Sequence, residues 1–233
     1  MRQAGAQFFQ QAYKPEDVDN FPGLENMELC GLFGALLGDG SSGRYFAKGK
    51  NCFIYPTTIV GNASKDADFV KQLSCILESY FNVKPYIRVA RDNSIRLTVN
   101  SRLFFEWLKR NGYPIGKKPS DFGLTQEILR LPDKNINRII RGLLDTDVHI
   151  NSRKDEDFKY PYVTITSISP VLRSQLKEIL RRQGIPAFIH AEAVSVRGIS
   201  NFNKWFELIG SSNPRILSKY EEFCKTGKIL PGL

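Results

Sequence analysis

The sequence predicts an α+β fold in which one unit occurs twice in tandem. Two apolar, helix-like segments, residues 32–40 and 140–148, carry an acidic residue near their ends, Asp39 in the first and Asp147 in the second. Each segment is followed by the same order of elements: strands, a helix, further strands and another helix. An internal duplication in a compact chain predicts two halves related by pseudo-twofold symmetry.

Both apolar segments carry small residues four positions apart, which are Gly34 and Gly38 in the first and Gly142 and Thr146 in the second. A helix places residues at this spacing on one face, so the two faces can approach backbone to backbone. The acidic residues at their ends would then lie side by side. Two carboxylates held close are costly unless a proton or a cation lies between them. We therefore expect a divalent cation to bridge them.

The first copy shows strand and helix periodicities in succession. Ile95, Leu97 and Val99 alternate with polar residues, which is typical of a strand with one apolar face and one polar, basic face. Similar patterns predict helices over about 24–38, 66–81 and 102–111, a strand over 53–60, and a hairpin over 85–91 and 94–100.

The second copy repeats this order and ends, like the first, in a helix with a Trp followed by a Gly, Trp107 with Gly112 and Trp205 with Gly210. Its patterns predict a strand over 160–167, a helix over 170–182, strands within 187–197 and a helix over 201–209. The predicted organisation is a leader over 1–21, a first repeat over 22–126, a linker over 127–135 and a second repeat over 136–233.

The composition bounds the class of protein. A chain of 233 residues with 42% hydrophobic residues can form one large domain or two small fused ones. Its net charge of +9 favours a polyanionic partner. The four cysteines form no CxxC pair, which argues for free thiols and against a structural zinc site. With no signal-like start and no apolar run of membrane-spanning length, we expect a soluble intracellular protein, in the cytoplasm or an organelle matrix.

The paired motifs resemble those of LAGLIDADG homing endonucleases of the single-chain, two-repeat type. Residues 32–40 and 140–148 match the family motif, and residues 116–118 and 210–215 match the stretches that follow the Trp helices. The resemblance implies two tandem αββαββα repeats, with the motif helices at a central interface. It also implies that the antiparallel sheets form a saddle over double-stranded DNA and that the protein is a monomer.

The resemblance also implies the catalytic residues. Asp39 and Asp147 correspond to the acids that bind the divalent metal, which would be Mg²⁺ or Mn²⁺, with Ca²⁺ bound but not supporting cleavage. Lys118 matches the basic residue near the scissile phosphate, and Arg215 lies in the corresponding stretch of the second copy. Asn62 falls where the family often has a polar residue that organises water.

The residues expected to contact DNA lie opposite the apolar faces of the strands and on a loop before them. Arg and Lys can bind phosphates or guanine edges, and Thr and Tyr can donate or accept hydrogen bonds. The candidates are Arg88, Arg96, Tyr162, Thr164 and Thr166 on the strands and Arg44, Lys48 and Lys50 on the loop.

One departure from the family motif concerns its closing glycine, which is Gly40 in the first copy and Val148 in the second. If this position is left-handed, a β-branched residue would cost about 1–2 kcal/mol or shift the backbone beside Asp147. Cleavage of the second strand is therefore less secure than that of the first. Asp145 could compete with Asp147, but it points to another side of the helix, so we interpret it as structural.

The resemblance implies a site-specific, metal-dependent DNA endonuclease of the kind that mobile introns or inteins encode. Three different functions on the same scaffold stay open. They are an RNA maturase that binds intron RNA, a nickase or an endonuclease that has lost cutting, and a two-repeat transcription regulator. The sequence does not indicate the DNA target.

Overall fold

A computed structural model describes residues 16–152 and 157–229, apart from the side chains of residues 16, 17, 147 and 148. Three segments lie outside this range, namely residues 1–15, which are most of the predicted leader, residues 153–156 and residues 230–233. The side chains of Asp147 and Val148 lie outside it as well.

The first half begins with a short helix and ends with a helix that carries Trp107. Its elements are α1 (Glu16–Asp19), α2 (Met27–Asp39), β1 (Gly40–Ser42), β2 (Tyr45–Ala47), a 3₁₀ turn (Lys48–Lys50), β3 (Cys52–Ile54), β4 (Pro56–Asn62), α3 (Ala67–Phe81), β5 (Tyr86–Val89), β6 (Ser94–Asn100) and α4 (Arg102–Arg110).

The second half follows the same plan after a short helix. Its elements are α5 (Gln126–Leu129), α6 (Asp133–Asp147), β7 (Val148–Ser152), β8 (Pro161–Thr166), α7 (Pro170–Arg182), β9 (Phe188–His190), β10 (Ala193–Arg197), α8 (Ile199–Leu208) and α9 (Pro214–Thr226).

Each half forms a four-stranded antiparallel sheet of the same topology. The strand order is β1-β4-β6-β5 in the first sheet and β7-β8-β10-β9 in the second. Strands β2 and β3 form a separate two-stranded sheet with their connecting turn, and we call residues 45–54 the flap. The predicted α+β architecture with two repeats is confirmed.

Several predicted boundaries differ from those in the structure. The strand predicted over 53–60 divides at Tyr55, whose backbone N–H donates to Asn100 Oδ1 at 2.7 Å, so β3 pairs with β2 and β4 joins the main sheet. The helix predicted from residue 24 begins at Met27, because Asn26 Oδ1 accepts the N–H groups of the first turn. The segment predicted as a linker over 127–135 contains most of α5 and the start of α6.

The two motif helices, α2 and α6, pack against each other at the centre of a continuous apolar core. A Cβ added to Gly34 would lie 2.0 Å from the carbonyl oxygen of Ile139, and one added to Gly142 would lie 2.0 Å from that of Gly31. These contacts are equivalent under the pseudo-twofold axis. The predicted backbone approach is therefore confirmed at Gly34 and Gly142, where only glycine fits. Within the described residues, no helix is long and apolar enough to cross a membrane.

Candidate active site

The two central helices end where the sheets begin. Helix α2 ends at Asp39 and runs directly into β1, and α6 ends at Asp147 and runs directly into β7. A pocket of about 350 Å³ at this point is lined by Asp39 and by Thr146, the residue before Asp147. The ends of both motif helices therefore meet at one place, as the small-residue spacing predicted.

Side chains with oxygen atoms that can bind a metal dominate the wall of this pocket, which we call the central pocket. Besides Asp39 and Thr146, it is lined by Asn62, Asp66 and Asp92. Carboxylate, amide and hydroxyl oxygens suit hard cations such as Mg²⁺, Mn²⁺ and Ca²⁺. The described residues contain no cluster of three or more His, Cys, Asp or Glu side chains arranged around a metal position.

The first helix end is capped by Lys118, which follows α4. Its ammonium group donates to the carbonyl oxygens of Leu36, Leu37 and Gly38 at 3.0, 2.7 and 2.6 Å. Leu36 O also accepts the backbone N–H of Gly40, but the last carbonyls of a helix have room for further donors, and the C-terminal end of a helix attracts cations. The hydroxyl of Tyr113 also donates to the Leu36 oxygen at 3.0 Å, and burial raises the pKa of that hydroxyl well above its usual range. Lys118 therefore lies beside the end of α2 that carries Asp39.

The second helix end is capped by an amide rather than by a cation. Asn213 Nδ2 donates to the carbonyl oxygen of Asp145 at 3.0 Å, and Asp145 corresponds to Leu37 of the first copy. The carboxylate of Asp145 is buried and accepts hydrogen bonds from Ser211 Oγ and from the Ser212 N–H. Burial raises its pKa to about 6, although these hydrogen bonds oppose the rise. As expected, Asp145 points inward and has a structural position.

Arg215 lies in the same stretch but contacts an acid of the first repeat. Its Nε is 3.5 Å from Asp66 Oδ1, and both side chains are largely buried. Asn213 Nδ2 donates to the same oxygen at 2.9 Å. The other oxygen of Asp66 accepts the N–H of Asn62 at 2.9 Å. Asp66 is thus a junction between the two repeats at the wall of the central pocket.

The sequence reasoning missed Asp66 and Asn213. Asp66 stands immediately before α3, where an acidic residue is ordinarily interpreted as a helix cap. Asn213 lies within the matched stretch 210–215 and caps α9 through its Oδ1, which accepts the N–H of Arg215 at 3.0 Å. The sequence did show that Asn213 is a polar residue within a matched stretch. It could not show that Asn213 and Asp66 lie together, because their proximity depends on the packing of the two repeats.

Asn62 is the last residue of β4 and lines the central pocket. Its Oδ1 accepts the N–H groups of Ser64 and Lys65 at 3.1 and 3.2 Å, which closes the turn into α3. The side-chain oxygen therefore already has a structural partner. Its predicted role in organising water stays a prediction.

The predicted DNA-contacting residues on the strands share the faces opposite the core. Arg88 pairs directly with Arg96 in the first sheet, and both are exposed. In β8, Thr164 alternates with the buried residues Val163 and Ile165. Tyr162 and Thr166 occupy the same face of β8 as Thr164. The loop candidates belong to the flap or adjoin it, with Lys48 and Lys50 in its turn and Arg44 before β2.

The expected penalty at Val148 rested on a left-handed backbone that the structure does not contain. Gly40 has φ −92° and ψ 155°, which is an extended conformation. A glycine is needed there because an added Cβ would lie 2.5 Å from the Cα and carbonyl oxygen of Leu36. Val148 begins β7 and pairs with Ile165 as Gly40 pairs with Ile59. The left-handed argument against the second centre is therefore wrong.

Two sheets of identical strand order, joined by packed helices that end in acidic residues, define a single-chain protein of two structural repeats. Residues 134–215 match a protein-family model described as a LAGLIDADG-like domain. The comparison with curated proteins gives no match.

Solved structures of homing endonucleases share the fold of most of the chain. I-DmoI in complex with DNA and Ca aligns with a TM-score of 0.61 at 17% identity, over 86% of this chain and 100% of that one. I-DmoI with DNA and Mn gives 0.59 at 18% identity, over 82% and 99%. A variant of I-SmaMI gives 0.58 at 13% identity, over 87% and 89%. The predicted resemblance is confirmed to this extent: residues 134–215 match the LAGLIDADG-like domain, and the chain has the two-repeat fold of these single-chain homing endonucleases.

Proposed function

We propose that the protein is a site-specific endonuclease that cuts both strands of double-stranded DNA at a long recognition site by metal-dependent hydrolysis, acting as a monomer. The meeting of the two helix ends is the observation that carries this proposal. Asp39 and Thr146 line one pocket, so the residue that follows Thr146, Asp147, lies at the same helix junction. With two acids at one junction, each acid could act in the cleavage of one strand of a duplex.

The surface supports a duplex as the partner. Each sheet turns one face to the core and leaves a polar face outward, as antiparallel sheets commonly do. Arg88 and Arg96 on the first sheet and Thr164 on the second sheet lie on these outward faces, and the chain carries a net charge of +9. The similar I-DmoI structures were solved in complex with DNA.

We propose Mg²⁺ or Mn²⁺ as the cofactor, held by the carboxylates of Asp39 and Asp147, with Ca²⁺ binding without supporting cleavage. The oxygen donors of the central pocket fit such ions. I-DmoI complexes contain Mn or Ca, which supports a divalent ion here. A bound divalent ion would lower the pKa of a water molecule and neutralise charge on the phosphate.

The remaining candidates would act through position and charge. Lys118 is held at the end of α2 by three carbonyl oxygens that accept its three N–H groups, so it would act on a phosphate beside Asp39 through its positive charge rather than through a hydrogen bond. Arg215 would offer the corresponding charge in the second repeat, although Asp66 offsets part of it. Asn62 would orient water from the edge of the pocket.

Replacement of Asp39 by Asn tests the proposal, because it removes a carboxylate without changing the side-chain volume. We expect Asp39→Asn to abolish linearisation of a plasmid that carries the candidate insertion site in Mg²⁺, while folding and duplex binding in Ca²⁺ are kept. Asp68→Asn is the matched control, since Asp68 is an exposed acid on α3 that pairs only with Lys71 among the described residues. Undiminished cutting by Asp39→Asn would contradict the proposal that Asp39 is needed for metal-dependent cleavage.

A nickase is the second candidate, and the difference between the helix ends favours it over a maturase or a transcription regulator. Lys118 brings a cation to the end of α2, whereas Asn213 brings a neutral amide to the end of α6. The same plasmid assay separates the candidates. Linear product supports a double-strand endonuclease, stable nicked circles support a nickase, and binding without cutting supports a binding protein.

A further inference from the structure

A second pocket, of about 360 Å³, lies where the flap meets α4. We call it the distal pocket. Its floor is aromatic, since Tyr55 and Phe105 are both largely buried and contact each other edge to face at 5.2 Å between ring centroids. Its rim is cationic and is formed by Arg44, Arg102 and Lys109.

Two of the cations are backed by aromatic rings. The guanidinium carbon of Arg44 is 3.7 Å from the ring centroid of Phe53, and that of Arg102 is 5.7 Å from the ring centroid of Tyr55. A guanidinium that faces a ring binds the ring through its flat side and directs its N–H donors along its edge. Such an arrangement restricts the side chain before a ligand arrives, which lowers the entropic cost of binding an anion.

The charge balance of the distal pocket favours an anion despite one carboxylate. Glu106 is the only acidic residue among those that line it, against three cations. The planar N–H fork of Arg matches the oxygens of a phosphate, and such charge-assisted hydrogen bonds are among the stronger ones in proteins. A phosphate group is therefore the ligand chemistry that the lining favours.

The distal pocket lies away from the helix junction, along the first sheet. Arg44 follows Asp39 by five residues through β1, and Arg102 follows β6 at the end of the sheet remote from the central pocket. At about 3.3 Å per extended residue, the distal pocket is about 15–20 Å from Asp39. This span corresponds to about four to six base pairs along a duplex that rises about 3.4 Å per pair.

We propose that the distal pocket binds a backbone phosphate of the DNA flanking the cut, and so extends the DNA-binding surface on the side of the first repeat. The inference rests on the proposed function, because it needs a duplex lying along the sheets. Arg44 and Arg102 donate to the phosphate, and Lys109 adds charge from α4. Glu106 opposes the phosphate and keeps its binding reversible.

The test compares variants that lose the same charge in different places. Arg44→Gln with Arg102→Gln removes two cations from the distal pocket. Lys71→Gln with Arg181→Gln is the matched control, because it removes two cations from exposed pairs on α3 and α7. Circular dichroism checks the folding of each protein. Fluorescence anisotropy in Ca²⁺ then measures the affinity for a random-sequence duplex of about 30 base pairs at about 50–200 mM salt.

We expect the pocket variant to bind duplex about three- to tenfold more weakly than the control at about 100 mM salt. Its plot of log affinity against log salt should be less steep by about 0.9 for each phosphate that the protein no longer neutralises. Glu106→Gln should tighten binding. Equal affinities and equal slopes for the pocket variant and the control would overturn the proposal.

Inorganic phosphate distinguishes the possible sources of the ligand. If phosphate raises the melting temperature of the unaltered protein and of the control, but not of the pocket variant, while duplex affinity is unchanged, the site takes free phosphate and the DNA proposal is wrong. Failure of the unaltered protein to bind any duplex would contradict the proposed function itself, and the pocket proposal with it.

Discussion

The close packing of α2 on α6 makes a sharp prediction for Gly34→Ala. The added Cβ would lie 2.0 Å from the carbonyl oxygen of Ile139 and 2.9 Å from the backbone nitrogen of Leu143. Both atoms belong to the backbone of α6, so no side chain can rotate away. Ordinary contact begins at 3.4 Å, and the helices must therefore separate locally by about 1.4 Å or deform.

The cost follows from the packing that this separation loosens. A gap of about 0.5–1 Å already forfeits a quarter to a half of the attraction between facing atoms, and overpacked cores typically lose about 1–3 kcal/mol. Alanine in a helix interior gains only about 0.5–1 kcal/mol over glycine. Because the obstacle is backbone, we place Gly34→Ala near the upper end, at about 3 kcal/mol of destabilisation. For a chain of this size, that lowers the melting temperature by about 6–12 °C.

Gly31→Ala is the matched control on the same helix, one turn away. A Cβ added to Gly31 meets no heavy atom within 4 Å. It should therefore show only the helix-propensity gain, a stabilisation of about 0.5–1 kcal/mol. Urea unfolding followed by circular dichroism measures both variants. If Gly34→Ala is as stable as Gly31→Ala, the backbone approach of the motif helices does not exist in solution.

Two further changes test the second helix end. The pKa of Asp145 rises from 3.8 to about 6 on folding, so its protonated form favours the folded state fully below pH 3.8, and that contribution is lost as the pH rises through 6. In the unaltered protein this carboxyl should therefore lower the free energy of unfolding, measured in urea, by up to about 3 kcal/mol as the pH rises from about 4 to 7. Asp145→Asn should remove this decrease. An unchanged pH dependence would contradict the burial of the carboxylate. Asn213→Ala removes hydrogen bonds to Asp66 and to the Asp145 carbonyl as well as the cap of α9, and should cost about 1–3 kcal/mol in the same assay. Asn201→Ala, which removes an exposed bond to a backbone carbonyl, should cost much less, and equal destabilisation by the two changes would show that Asn213 does not join the repeats.

The sequence was informative where a feature depends on local periodicity. Ile95, Leu97 and Val99 are all buried, as the alternating pattern of β6 predicted. Gly34 and Gly142 revealed the helix interface because spacing alone assigns residues to a helical face. Such patterns repeat within one element, so they can be read without knowing what the element packs against.

The features that escaped prediction depend on contacts between distant residues. The division of the predicted strand at Tyr55 needs Asn100, which belongs to another strand. Asp66 is recognisable as a junction only once the second repeat is packed beside it. Chain order constrains none of these contacts.

The two helix ends share their topology and strand register but differ in chemistry. Each motif helix ends at an acidic residue that is followed directly by a strand, and the two strands pair with their neighbours in the same register. The duplication has therefore preserved the strand pairing at both ends. The capping groups differ in charge, because Lys118 is a cation and Asn213 is neutral. Arg215 carries a positive charge in the corresponding stretch of the second repeat, but it lies in an ion pair with Asp66. If positive charge beside the phosphate assists cleavage, the strand served by Asp39 is cut first, and the balance between nicked and linear product measures this asymmetry.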